Sequence, residues 1–369
     1  MRITFVLPTK NIAGGVKATF ELANRLQERG HEVRIVYPLI PVPPGAKRFD
    51  LQRMEDKVKG TLLNLKKGNR VDWFDLEAKL IRTLRKGTAG IPEGDVIVAT
   101  WWADVYDVAR CGPDKGEKFH IIRSYEVWGG PDDKVNKAYT LPLHKVAISS
   151  WLKSLIEDKF RVPVHGPIMD GIDMNVFYME REDFTAHFPR RVGLMYRRSP
   201  LKGMRDAFQA FLMVQEEYPS VEFVLFGDPP LPEDKEAMSK LRDMEFHRIP
   251  FGGRLRSIYN SLDIFVLPSY LEGLANPPME AMACGAACVF SDIGGMAEYS
   301  RPGEANLVFP PGQPGEMADA ILTLLRDEEK RREMARAGHE LVKGFSWESC
   351  TDRLEGIIRE VLATSGNGS

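Results

Sequence analysis

Residues 269–285 read Ser-Tyr-Leu-Glu-Gly-Leu-Ala-Asn-Pro-Pro-Met-Glu-Ala-Met-Ala-Cys-Gly, and the fold is decided by how they are read. Just upstream, Ile264-Phe265-Val266-Leu267-Pro268 is a short apolar run of the kind that forms a buried strand. Downstream, Met279-Glu280-Ala281-Met282-Ala283 predicts a helix. Pro277-Pro278 is tolerated in its first turn, where a proline's missing N–H has no helical partner in any case. A strand, a loop containing Gly273 and then a helix N-terminus is the geometry that turns backbone N–H groups towards an anion. Glu272 and Glu280 bracket that loop eight positions apart. Backbone donors for a phosphate, beside carboxylates for hydroxyl groups, point to a sugar nucleotide.

The same alternation extends in both directions. Strands are predicted at 191–196, 221–226, 245–250, 287–290 and 306–309, with helices at 204–217, 254–261, 315–326 and 328–342. Further upstream, the apolar run 3–7 leads through a Gly14-Gly15 loop into an amphipathic helix over 16–29. Gly30 ends it, and a strand follows at 31–37. Strands at 95–100, 119–123 and 145–150 and a helix at 151–160 complete this series. Repeated β-loop-α-β units mean a doubly wound parallel α/β architecture. A chain of 369 residues exceeds what one core serves, so two such domains are expected, 1–165 and 166–345, with a last helix over 346–363. The stretches 41–90 and 228–237 read as an irregular, partly helical insert and a surface loop. Gly14-Gly15 could let a phosphate or sugar approach the backbone, although it matches neither Gly-x-Gly-x-x-Gly nor a Gly-Lys-Ser/Thr loop. Alone, a Gly-Gly turn is more often structural.

Composition narrows the classes. Hydrophobic content of 43% and charged content of 28% are those of a globular protein, and a net charge of −2 gives no field for nucleic acid. The four cysteines, Cys111, Cys284, Cys288 and Cys350, are too scattered for a disulfide framework, and Cys284 and Cys288 read as small buried thiols. The N-terminal apolar run is too short for a signal peptide, and no run reaches the ~18 residues of a membrane span. A cytoplasmic protein is expected. Between Lys47 and Lys86 twelve basic residues outnumber six acidic ones, beside Leu62, Leu63, Leu65, Trp73 and Phe74. This stretch suits a peripheral contact with an anionic inner membrane face, a solvated helical face with ordinary core contacts being the plainer alternative.

Ligands of open α/β sheets gather beyond the carboxyl ends of the strands. Trp101, Trp102, Arg123, Tyr125, Glu126 and Trp128 stand at such ends and are acceptor-side candidates, packed tryptophans being the plainer alternative. Arg197 and Lys202 follow the strand at 191–196. Two cations there could stabilise a departing diphosphate without a metal ion.

These residues resemble the retaining glycosyltransferases of family 4, which have the GT-B fold. Glu272-Gly-Leu-Ala-Asn-Pro-Pro-Met-Glu280 looks like the family's Glu-x7-Glu signature. Gly14-Gly15 is similar to its N-terminal glycine loop, and Asp170-Gly171-Ile172-Asp173 with Phe177 to its inter-domain linker. Arg197 and Lys202-Gly203 keep its spacing. The resemblance implies two Rossmann-like domains facing a cleft, with the last helix crossing back to the first. It implies that Glu272 contacts the donor sugar and Glu280 the ribose. It further implies that backbone at Gly273, Leu274, Ala275 and Asn276 holds the diphosphate with Arg197 and Lys202, that the base lies near Ile249, and that Gly15 approaches the donor phosphate. Two departures stand out. Arg123-Ser124-Tyr125-Glu126 replaces the family's His-Asp pair, a Tyr-Glu pattern similar to rhamnosyltransferase-like members, and Tyr196 replaces a glycine.

The expected activity is metal-independent, retaining transfer of a sugar from a nucleoside-diphosphate sugar to a glycan or lipid-linked acceptor, with no cofactor beyond the donor. The alternatives are a GT-B sugar-nucleotide epimerase and an inactive nucleotide-sugar-binding protein.

Overall fold

The computed structural model describes residues 1–40, 58, 60–62, 64–66, 68–84 and 87–366. They fall into two units. The first is Met1–Asp170 together with Trp347–Ser369, and the second is Gly171–Ser346. Each is built on one sheet in which every strand pair is parallel.

The first unit contains β1 (Arg2–Val6), β2 (Glu32–Pro38), β3 (Lys79–Thr83), β4 (Val96–Ala99), β5 (Glu117–Ile122), β6 (His144–Ala147) and β7 (Val164–His165), in the order β3-β2-β1-β4-β5-β6-β7. The order reverses direction beside β1, which is the switch point of a doubly wound sheet. Helix Gly14–Glu28 follows β1 and buries Val16, Phe20, Ala23 and Leu26, the spacing of one helical face. Gly30, at φ +83°, ends it in the left-handed region that a β-carbon disfavours. The C-terminal helix Trp347–Gly366 is tied to this helix by Arg25–Glu348, Arg29–Asp352 and Arg29–Glu355 ion pairs.

The second unit contains β8 (Arg191–Tyr196), β9 (Glu222–Gly227), β10 (Met244–Arg248), β11 (Ile264–Leu267), β12 (Ala287–Ser291) and β13 (Asn306–Phe309), in the order β10-β9-β8-β11-β12-β13. β11 lies inside the sheet and is buried along its whole length, which explains its unbroken apolar sequence. The core beneath it includes the stacked pair Phe211–Phe223, with ring centroids 4.5 Å apart. Burying a side chain of this size contributes about 1.5–3 kcal/mol.

Three readings need correction. Residues 41–90 are not wholly an irregular insert: 79–83 form β3, paired with β2 from Arg34↔Lys79 to Pro38↔Thr83. Only Thr83 of this edge strand is buried, so its apolar signal is weak and the partner strand holds it in place. Residues 228–237 are not all loop, because Pro232–Met238 is helical, with proline in its first turn and Glu233 and Asp234 complementing the dipole. Helices Trp102–Ala109 and Asp132–Thr140 had no counterpart in the sequence reading. Residues 41–57, Lys59, Leu63, Lys67, Arg85 and Lys86 of this region lie outside the described residues. Within it, Trp73 stacks on Phe20 at 5.3 Å and Phe74 packs against the same ring, so these two aromatics are core contacts. Leu62 and Leu65 are exposed.

Candidate active site

In the second unit the loops at the carboxyl ends of β8 and β11 are joined into one piece. After β8 the chain makes a short turn, Pro200–Lys202, and reverses at Gly203 with φ +64°. A β-carbon on Gly203 would lie 2.0 Å from the Pro268 carbonyl oxygen, so only glycine allows the two loops to approach so closely. The Tyr270 N–H donates to the Leu201 carbonyl at 2.8 Å and completes the join.

That join sets the Lys202 ammonium 2.5 Å from Oε1 of Glu272, and the buried Ser269 hydroxyl donates to the same oxygen at 2.7 Å. Arg197, at the start of the same loop, pairs with Asp228 at 3.2 Å. The helix Asn276–Ala283 begins a few residues beyond Glu272 with Pro277 and Pro278 in its first turn. On it Glu280 is buried, and its Oε2 accepts a hydrogen bond from the Tyr259 hydroxyl at 3.0 Å. Burial first, then the Glu280 charge and this hydrogen bond, push the Tyr259 hydroxyl well above its ordinary pKa, so it remains a donor. Gly273, Leu274 and Ala275 are buried, and the Ala275 carbonyl accepts from the Tyr299 hydroxyl at 2.6 Å.

Ile249, just past β10, has φ +39° and is 37% exposed, and its N–H bonds the Gly227 carbonyl at 2.8 Å. A β-branched residue in this region is strained, and strain of this sort concentrates at ligand-contacting sites. The structure thus gathers Lys202, Glu272 and the loop 273–276 on one rigid support. Arg197 and Ile249 follow the carboxyl ends of β8 and β10, and Glu280 lies on the helix that follows β11. Such a support can meet a diphosphate with cations and hydroxyl groups with carboxylates.

Sequence reasoning missed Ser269, Asp228, Tyr259 and Tyr299. Ser269 follows the strand directly and could have been noticed as a short-range partner for Glu272. Tyr259 reaches Glu280 from another helix and Tyr299 reaches Ala275 from a turn, and no local pattern announces them.

The first unit revises the acceptor-side candidates. Trp101 is only 7% exposed and Trp102 is equally buried; the two rings pack edge to face at 5.4 Å. They are not presented as surface platforms. Gly129 and Gly130 press against the Trp102 indole so closely that a β-carbon at Gly130 would fall 2.3 Å from it, which explains the burial. Glu126 is also buried, its Oε2 accepting from the Trp102 backbone N–H at 2.9 Å. Arg123 is engaged in a buried ion pair with Asp170. It also lies beside the glycine loop, its Cδ 3.4 Å from where a Gly15 β-carbon would be. The Tyr125 hydroxyl donates to Asn136 at 2.9 Å. Trp128, by contrast, is 43% exposed. The burial of Trp101 and Glu126 follows from the helix Trp102–Ala109, which the sequence reading lacked.

All four cysteines are free and buried. Among the described residues, no group of three or more His, Cys, Asp or Glu side chains is arranged to hold a metal ion, and no helix is long and apolar enough to cross a membrane.

Residues 191–327 match the family model described as "Glycosyl transferases group 1". A phosphatidyl-myo-inositol mannosyltransferase of Mycobacterium leprae is 28% identical over 403 residues, spanning 100% of this chain and 98% of that protein. The sulfoquinovosyl transferase SQD2 of Arabidopsis thaliana is 27% identical over 155 residues, 41% of this chain and 30% of that protein. The chain thus spans less than a third of that relative, and 45% of the Bacillus anthracis N-acetyl-alpha-D-glucosaminyl L-malate synthase that it also matches. Among solved structures, Anabaena HepE in complex with UDP-glucose superposes with a TM-score of 0.72 at 16% identity, covering 99% of this chain and 100% of that one. The fold is therefore GT-B, two parallel-sheet α/β domains, and residues 191–327 are similar to the group 1 glycosyl transferases.

Proposed function

We propose that the protein is a retaining glycosyltransferase that takes its sugar from a nucleoside-diphosphate sugar without needing a metal ion. The observation that carries this reading is the Lys202–Glu272 contact of 2.5 Å beside the loop 273–276. It puts a cation for phosphate and a carboxylate for sugar hydroxyls side by side. Glu280, eight positions on and braced by Tyr259, suits the ribose hydroxyls. The group 1 match over 191–327 covers these residues, which supports the reading.

In the reaction so proposed, the acceptor hydroxyl oxygen bonds to the anomeric carbon while the bond from that carbon to the diphosphate oxygen breaks on the same face. The departing phosphate oxygen takes the acceptor proton. Arg197 and Lys202 stabilise the charge that grows on the leaving group, which is the part usually played by a divalent cation. Glu272 orients the sugar and is not the base. The acceptor is a glycan or a lipid-linked saccharide, met by the first unit in the cytoplasm, where the exposed Leu62 and Leu65 beside Lys66 could rest on an anionic membrane face.

The test is a thermal-shift panel of nucleotide sugars, followed by transfer assays in chelator with the best donor. Specific binding to the folded state raises the apparent stability by mass action. Glu272→Ala is expected to abolish transfer in a folded protein. Normal turnover by this variant refutes the reading, and conversion of the donor without any acceptor favours an epimerase.

A further inference from the structure

The segment following β12 has no part in the chemistry proposed above, yet it touches the donor loop at two places. The short turn Gly294–Met296 lies against the first of them. A β-carbon on Gly295 would stand 2.2 Å from the Glu272 carbonyl oxygen and 2.7 Å from the carbon and oxygen of the Gly273 carbonyl. These are backbone atoms, which cannot swing aside as a flexible side chain can. Four residues later, the fully buried Tyr299 donates its hydroxyl to the Ala275 carbonyl at 2.6 Å, with the Met296 sulfur 3.3 Å away. Burial, with the Cys288 thiol and Glu272 charge adding to it, keeps that hydroxyl protonated.

We propose that Gly295 and Tyr299 are positioning residues that set the two ends of the donor loop separately, Gly295 the Glu272 end and Tyr299 the Ala275 end. Contact with Gly295 fixes where the Glu272 backbone lies, and through it whether the carboxylate reaches both Lys202 and Ser269. The Tyr299 hydrogen bond fixes the entry to the helix Asn276–Ala283, and with it the N–H groups at 274–276. The catalytic consequence rests on the function proposed above. The mechanical claim does not, because it concerns the loop of the unliganded protein.

Two variants and two readouts test it. Gly295→Ala adds one methyl group against backbone, and Tyr299→Phe removes one buried hydroxyl. Amide hydrogen exchange on the unliganded protein is expected to rise about tenfold at 271–274 in the alanine variant and at 275–276 in the phenylalanine variant. A tenfold rise is about 1.4 kcal/mol, within the cost expected when a buried carbonyl is left without its donor. With a donor, Gly295→Ala lowers kcat at least about tenfold while the affinity for free nucleoside diphosphate stays within about threefold, since only the sugar-facing end has moved. Tyr299→Phe does the reverse, weakening diphosphate binding more than kcat.

Unchanged exchange at 271–276 in both variants overturns the proposal, as does an equal loss of kcat and diphosphate affinity in both, which would be general loosening. If Gly295→Ala does not fold, Tyr299→Phe decides alone, and exchange no faster at 275–276 than elsewhere refutes it. If the wild-type protein binds no nucleotide sugar, the proposed function fails while the exchange result still settles the positioning roles.

Discussion

Replacing Lys202 by methionine keeps the length of the side chain and removes its charge. In the unliganded site that charge is already paired with Glu272 at 2.5 Å, the two side chains being 29% and 13% exposed. In the proposed reaction a donor diphosphate therefore gains the lysine only by exchange. At about 4 Å and an effective dielectric constant of about 20, a cation and a phosphate charge attract by about 4 kcal/mol. Against this stands the pairing given up, about 1 kcal/mol for a contact still partly open to water. The net of about 3 kcal/mol corresponds to a loss of about 10²-fold in kcat/KM for Lys202→Met. Stability should change little, because Glu272 keeps its hydrogen bond from Ser269, and a loss of about 1 kcal/mol lowers Tm by about 2–4 °C in a domain of this size. Steady-state kinetics on the best donor, beside a melting curve, check both numbers. A folded Lys202→Met enzyme with kcat/KM within about threefold of wild type refutes the electrostatic role.

Burial alone would raise the Glu355 carboxyl, but hydrogen bonds from Arg359, Arg29 and His31 outweigh it and hold the group at about 2. A depressed carboxyl stabilises the fold above its unfolded pKa and loses that contribution as pH falls towards the folded value. The melting-temperature gap between wild type and Glu355→Gln should therefore be constant above about pH 5 and shrink from about pH 4.5 downwards; a gap that does not vary with pH contradicts this. Tyr259→Phe should cost about 1–3 kcal/mol by denaturant titration, because it leaves the buried Glu280 oxygen short of a donor. Ile249→Gly relieves a left-handed backbone conformation and should raise stability by about 1 kcal/mol in the same titration, despite the loss of a side chain. The thiols of Cys284, Cys288 and Cys350 are pushed up by burial, so an aromatic disulfide reagent should find them only after unfolding. Rapid labelling of the native protein would contradict their placement.

The architecture was legible in the residues because its signals are local. An apolar run such as Ile264-Phe265-Val266-Leu267 can hardly be anything but a strand buried on both faces, and Gly30 ends its helix for a reason internal to one residue. Glu272, Glu280, Arg197 and Lys202 could be picked out for the same reason, as each sits at a strand end or helix start that the chain itself announces. Elements held mainly by their neighbours were not visible. β3 has one buried residue in five and exists because β2 offers it an edge. The helix Trp102–Ala109 turned Trp101 and Glu126 inward, although their sequence suggested an exposed sugar-binding surface. Only the tertiary structure brought Lys202 onto Glu272, seventy positions away, Tyr259 onto Glu280 and Tyr299 onto Ala275. Local preference is written along the chain, whereas a hydrogen bond between distant residues depends on where the whole sheet sets their backbones. The sequence determined which cations and carboxylates stand at strand ends and helix starts, and the fold decided which of them are brought together.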